Sequence, residues 1–129
     1  MAALTGGLTL DTGALIAAEK DAERFWALFK AALARRARVT VPAPVLAQAW
    51  RKNNPMIARV LKACLVSPLD EVTAKRVGNL LADSGTADIV DAAVVVGAAD
   101  RRDAVVTSDP HDIERLAAKA GAALPILRV

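Results

Sequence analysis

Short apolar runs alternate with longer segments of helical period along this chain, and that rhythm leaves few folds open. Leu8-Thr9-Leu10, Val39-Thr40-Val41, Cys64-Leu65-Val66, Ala104-Val105-Val106-Thr107 and Ile126-Leu127-Arg128 read as strands. Between them the spacing predicts helices over 14–19, 21–36, 44–52, 55–63, 70–82, 88–101 and 110–120. Phe25, Leu28, Phe29 and Leu33 share one helical face, as do Val45, Leu46, Ala49 and Trp50. In the helix from Asp70, the inward set is Val72, Val77 and Leu80 or Leu81. The strands are too short and too apolar for a sandwich, which would show sustained period-2 alternation. Strands that alternate with helices imply a parallel sheet covered on both faces, a three-layer α/β/α domain.

The 129 residues fit one domain spanning 1–129, large enough to bury a core without staples. A single cysteine and a single histidine exclude an internal disulfide and a structural zinc site. Cys64, beside a strand, reads as core rather than as a nucleophile. No window approaches the 18 apolar residues of a membrane span, and residues 1–7 lack the basic opening of a secretory leader. The expectation is a cytoplasmic protein with no membrane contact. Charge is unevenly placed: residues 1–64 carry ten Lys/Arg and four Asp/Glu, residues 65–129 seven and ten. The basic half suits a polyanion and the acidic half a cation.

In open parallel sheets the functional site lies beyond the carboxyl ends of the strands, near a switch in strand order. Asp11 ends the first strand and Asp109 the fourth. Asp91 is the only polar residue between Ile89 and Ala99, in a helix apolar all round and therefore buried. An ionised carboxylate there is costly unless paired, protonated or bound to a cation. Asp88 precedes it by three residues, on the same helical face. Each acid also has a structural reading. Asp11 and Asp109 suit helix N-caps, the latter ahead of Pro110 with Asp112 in the same turn. Asp88 suits a helix's first turn, and Asp91 a buried pair with an arginine. An all-oxygen set of aspartates favours Mg²⁺ or Mn²⁺ over zinc. Such an ion acidifies bound water and screens a phosphodiester under attack. His111 reads as a surface residue rather than a general base.

The motifs then resemble a family. Leu10-Asp11-Thr12-Gly13-Ala14-Leu15-Ile16, Val41-Pro42-Ala43-Pro44-Val45-Leu46-Ala47-Gln48, Asp88-Ile89-Val90-Asp91-Ala92 and Val106-Thr107-Ser108-Asp109 resemble, in order, the four motifs of PIN-domain ribonucleases. Order, spacing and length are similar to the small bacterial members typified by VapC toxins. The resemblance implies a parallel, five-stranded central sheet and Mg²⁺- or Mn²⁺-dependent endoribonuclease activity. It implies catalytic and metal-binding roles for Asp11, Asp91 and Asp109, a homodimer, and a cognate antitoxin as partner.

The departure is Gln48, where the family carries Glu. An amide oxygen can hold a metal or its water but brings no charge, and Asp88 is the candidate to supply the missing carboxylate as metal ligand. Thr12, Thr107 and Ser108 offer hydroxyls at the same edge, for a phosphate or a metal-bound water. Arg51 and Lys52, and the cluster Arg35, Arg36 and Arg38, are candidate contacts to RNA phosphates. Trp50 reads as core or dimer interface ahead of a base-stacking platform.

The alternative is a PIN scaffold disabled at Gln48 that binds RNA or protein without cutting. A phospho-receiver would need a second acid near the first strand and a lysine after the last. A haloacid-dehalogenase phosphatase would need a second acid after Asp11. The chain has neither set.

Overall fold

The computed structural model describes residues 6–129; residues 1–5, part of the segment read for a leader, lie outside the described residues. Five strands, β1 (Leu8–Leu10), β2 (Val39–Pro42), β3 (Leu65–Ser67), β4 (Ala104–Thr107) and β5 (Ile126–Arg128), form one sheet in the order β3-β2-β1-β4-β5. Every pairing is parallel, with Leu8 opposite Val39 and Leu10 opposite Val106. The helices are α1 (Thr12–Glu19), α2 (Glu23–Ala34), α3 (Ala43–Ala49), α4 (Pro55–Leu61), α5 (Glu71–Ser84), α6 (Ile89–Arg101) and α7 (Pro110–Lys119). On one face α1 lies against β1 and β4 and carries α2, α3 and α4. On the other, α6 lies against β1, β2 and β4 and carries α5 and α7. This is a three-layer α/β/α arrangement.

The central strands β1, β2 and β4 are buried at every position, which is why they read as unbroken apolar runs. From β1 the chain proceeds outward to β2 and β3, then returns through α5 and α6 to β4 on the other side of β1. The switch in strand order therefore lies between β1 and β4. Among the described residues no helix is long and apolar enough to cross a membrane.

Four expectations are corrected. The third strand is shifted by one residue, to Leu65–Ser67, and as an edge strand it leaves Leu65 and Val66 exposed. Val72 faces solvent while Val77 and Leu80 are buried, because the buried stripe of α5 starts a turn later. Leu33 is exposed; the buried face of α2 is Phe25, Phe29 and Ala32. Trp50 is not on α3: it is extended (φ −72°, ψ 134°) beyond the last turn, and partly exposed.

A buried polar network fastens the far end of α6. Arg101 Nε donates to Asp103 Oδ2 (2.9 Å), Arg101 Nη2 donates to Thr9 Oγ1 (2.9 Å), and Thr9 Oγ1 donates to Asp103 Oδ2 (2.8 Å). Thr9 and Asp103 are buried, so the carboxylate is stable there only because it is paired.

Candidate active site

The carboxyl ends of β1 and β4, on either side of the switch, deliver the first acids. Asp11 follows β1, is buried, and caps α1 by accepting the Ala14 N–H at Oδ1 (2.9 Å). Burial raises its pKa above the ordinary carboxylate value and the charge of Asp109 adds to the rise; the Thr107 hydroxyl and the Ala14 and Gly13 N–H groups oppose it. Capping and membership of an acidic edge coincide in this residue. Gly13 has a steric role here: a Cβ at this position would fall on the Ser108 side chain, with Ser108 N at 3.2 Å. Glycine thus lets α1 press against the loop that carries Asp109.

Asp109 occupies the N-cap position of α7 without capping it. Its side chain makes no cap hydrogen bond, while its own N–H donates to Thr107 Oγ1 (2.9 Å). The carboxylate is exposed. Asp88 does the reverse. Expected on the same helical face as Asp91, it lies just before α6 and caps it, accepting the Asp91 N–H at Oδ1 (3.0 Å).

Asp91 sits in the first turn of α6, at the rim of the buried stretch that begins at Ala92. It is half-buried rather than enclosed. Among the described residues it forms no salt bridge: Arg101 is committed to Asp103 and Arg115 to Asp112. The reading of Asp91 as half of an arginine pair is therefore set aside. Its pKa is pushed up to about 7, by burial first and then by the negative charges of Asp88, Asp11 and Asp112.

Asp112 was missed as a member of this group. It lies in the first turn of α7, three residues after Asp109, and Arg115 Nη2 donates to its Oδ1 at 2.7 Å. The spacing Asp109-Pro110-His111-Asp112 was its signal, one helical turn along the same element. The five aspartates share one electrostatic neighbourhood, but among the described residues no three His, Cys, Asp or Glu side chains stand close enough to hold one ion. The donor chemistry nonetheless fits a hard cation: all-oxygen, uncompensated by arginine or lysine at Asp91, and raised in proton affinity by mutual repulsion.

Gln48, in the last turn of α3, accepts the Thr12 hydroxyl at Oε1 (2.5 Å). That bond occupies one of the two lone pairs of the carbonyl oxygen and leaves the other, with the amide N–H groups, free. Thr107 is buried and Ser108 exposed. His111 is exposed, 3.9 Å from Glu114. Burial pushes the half-buried Cys64 thiol up to about 12, so it holds no thiolate at neutral pH.

The expected basic cluster Arg35, Arg36 and Arg38 is not gathered around these acids. Arg35 Nη1 donates to Gly6 O (2.9 Å) and Arg38 O accepts the Leu8 N–H (2.9 Å). Both bonds place Arg35, Arg36 and Arg38 at the amino edge of the sheet, opposite the acids. Arg51 and Lys52 follow α3, and the Arg51 guanidinium folds back onto the carbonyls of Trp50 (2.6 Å) and Ala47 (3.4 Å). The cations that do share a cleft with the acids are Arg115 and Lys119 of α7, together with Asp88, Asp91 and Asp112.

No protein-family model matches the chain, and no curated protein matches it in sequence. Solved structures do match in fold. VapBC2 from Rickettsia felis, bound to a DNA fragment from their promoter, superposes with a TM-score of 0.68 at 15% identity, over 95% of this chain and 98% of that one. FitAcB from Neisseria gonorrhoeae gives 0.66 at 15% identity, over 94% and 96%. A Pyrobaculum aerophilum structure gives 0.62 at 17%, over 94% and 83%. The chain has the PIN-like fold of these structures.

Proposed function

We propose that residues 1–129 form one PIN-like nuclease domain that cleaves RNA endonucleolytically and serves as the toxin of a toxin–antitoxin pair. The observation that carries this reading is Asp91, a half-buried carboxylate with no salt-bridge partner among the described residues, crowded by three other aspartates at the sheet's switch point. Such crowding is unfavourable in the free protein and becomes favourable once a divalent cation is present. Asp11, Asp91 and Asp109 would hold Mg²⁺ or Mn²⁺. When bound, that ion supplies an acidified water and neutralises charge on the phosphodiester. Asp11 is fixed by its cap to α1, whereas Asp109, free of capping, is available to turn toward the ion. Asp88 orients Asp91 through the Asp91 N–H and adds negative charge beside it. Gln48, held by Thr12, keeps its amide N–H groups for an anionic phosphate oxygen and a second lone pair on Oε1 for a metal-bound water.

The fold shared with VapBC2 and FitAcB supports the toxin–antitoxin assignment, with a cognate antitoxin, a homodimer and a cytoplasmic setting as its corollaries. The test is cleavage of mixed RNA with Mn²⁺ or Mg²⁺, beside an EDTA control and an Asp11→Asn variant. Discrete fragments that vanish in both controls are expected. Intact RNA with folded, metal-loaded protein would overturn the nuclease reading. It would favour a non-cutting scaffold, the reading that the uncharged Gln48 side chain supports.

A further inference from the structure

Beyond the acids, α6 and α7 enclose a cleft of about 340 Å³, the size of a small-ligand pocket. It is lined by Asp88, Asp91 and Asp112 from the starts of α6 and α7, and by Arg115 and Lys119 further along α7. Leu116 and Ala118 give it an apolar wall, and Ser84 and Thr86, from the turn between α5 and α6, give it hydroxyls. We infer that this cleft is the docking groove for the strand flanking the cleaved bond: single-stranded RNA lies along α7 with a backbone phosphate between Arg115 and Lys119.

The inference rests on the nuclease reading for its substrate and on the cleft's own chemistry for its place. A polyanion approaching five aspartates needs positive charge beside them. Arg115 and Lys119 stand at i and i+4, on one face of α7 and about 6 Å apart along its axis. Arg115 spends one donor on Asp112 and keeps the rest of its fork. Lys119 forms no salt bridge among the described residues. The wall at Leu116 and Ala118 suits the face of a sugar or base, and the Ser84 and Thr86 hydroxyls, 3.4 Å apart, suit a ribose 2′-hydroxyl or a base edge. With so few aromatic residues, a phosphate clamp on an apolar wall replaces a stacking platform.

The test is fluorescence anisotropy of a labelled ten-nucleotide single-stranded RNA of mixed sequence, titrated in EDTA so that binding is read without cleavage. Lys119→Ala is compared with Arg115→Gln and with Lys30→Ala, an equal loss of charge on the exposed surface of α2. Both α7 positions are exposed, and circular dichroism checks that the variants fold. Lys119→Ala is expected to weaken binding several-fold and to flatten the dependence of log affinity on log salt by about 0.7. Arg115→Gln should weaken binding at least as much, since it also releases the charge of Asp112. Lys30→Ala should match the parent protein. Parent-like affinity and salt slope in both α7 variants would overturn the groove while leaving the cleavage result to judge the nuclease. Absence of RNA binding by the parent protein would overturn the groove as well.

Discussion

Replacing Asp91 with asparagine removes a half-buried carboxylate that has no salt-bridge partner among the described residues, and it should stabilise the fold in a pH-dependent way. The carboxyl is raised from 3.8 to about 7. Between those values the folded protein holds a proton that the unfolded chain has released. Stability therefore falls as pH rises from about 4 to about 7, and is level above that. A fully dry carboxylate displaced this far would cost about 4 kcal/mol. Asp91 is only half-buried and water screens it, so about 1–2 kcal/mol is the expected cost above neutrality. Asparagine keeps the shape and leaves the backbone N–H bond to Asp88 untouched. The variant should match the parent near pH 4 and exceed it by about 1–2 kcal/mol at pH 8. Urea unfolding in EDTA at pH 4.5, 6, 7 and 8, followed by far-UV circular dichroism, measures this difference. A variant less stable than the parent at pH 8 would refute the argument and show a structural partner for Asp91. A difference independent of pH would refute it as well. Under the proposed function, added Mn²⁺ should reverse the order, because an ion held by Asp91 stabilises the parent in proportion to its affinity and the variant much less.

Gln48→Glu should make the apo protein less stable at pH 8 and enlarge the rise in melting temperature caused by Mn²⁺, since it adds a charge beside an already repulsive group; differential scanning fluorimetry with and without the ion reads both. Gly13→Ala would ordinarily strengthen a helix by about 1 kcal/mol. Here the new methyl meets the Ser108 side chain and the Ser108 backbone, so a loss of about 1–3 kcal/mol is expected, with partial recovery on adding Ser108→Gly, as measured by urea unfolding. Arg101→Ala strands the buried Asp103 carboxylate and should cost about 3–5 kcal/mol by the same measurement.

The interior of this fold was legible because β1, β2 and β4 are buried on both faces, which leaves apolar runs with nothing polar to blur them. The edge was not: β3 has a neighbour on one side only, so its register is less constrained by burial and the strand lies one residue later than its apolar residues imply. The positions of Asp11 and Asp109 were readable for a topological reason, since a residue that follows a parallel strand lies at the carboxyl edge. The same rule places Arg35, Arg36 and Arg38, which precede β2, at the amino edge, and it was available from sequence. Asp112, Arg115 and Lys119 were harder to place. Their importance depends on α7 lying beside the start of α6, a contact between segments about twenty residues apart that no local pattern encodes.

The acidic edge raises a question of stability that the arrangement of helices answers. Like charges at this density repel, yet α1, α6 and α7 all begin there, after Asp11, Asp88 and Asp109 respectively. Each helix directs its unpaired N–H groups and positive dipole end toward the carboxylates, an interaction of about 0.3–1 kcal/mol at each exposed terminus. Two of the acids, Asp11 and Asp88, use that field fully by capping. Asp91 lies within the first turn of α6 and Asp109 makes no cap hydrogen bond, so among the described residues neither side chain accepts a backbone N–H. With Asp112 paired to Arg115, the edge is divided into two carboxylates anchored by capping, Asp11 and Asp88, and two unanchored ones, Asp91 and Asp109. A cation would act on the unanchored pair, where repulsion is least relieved, and Asp91 stands there because it immediately precedes the buried stretch from Ala92 of the helix that packs on β1, β2 and β4.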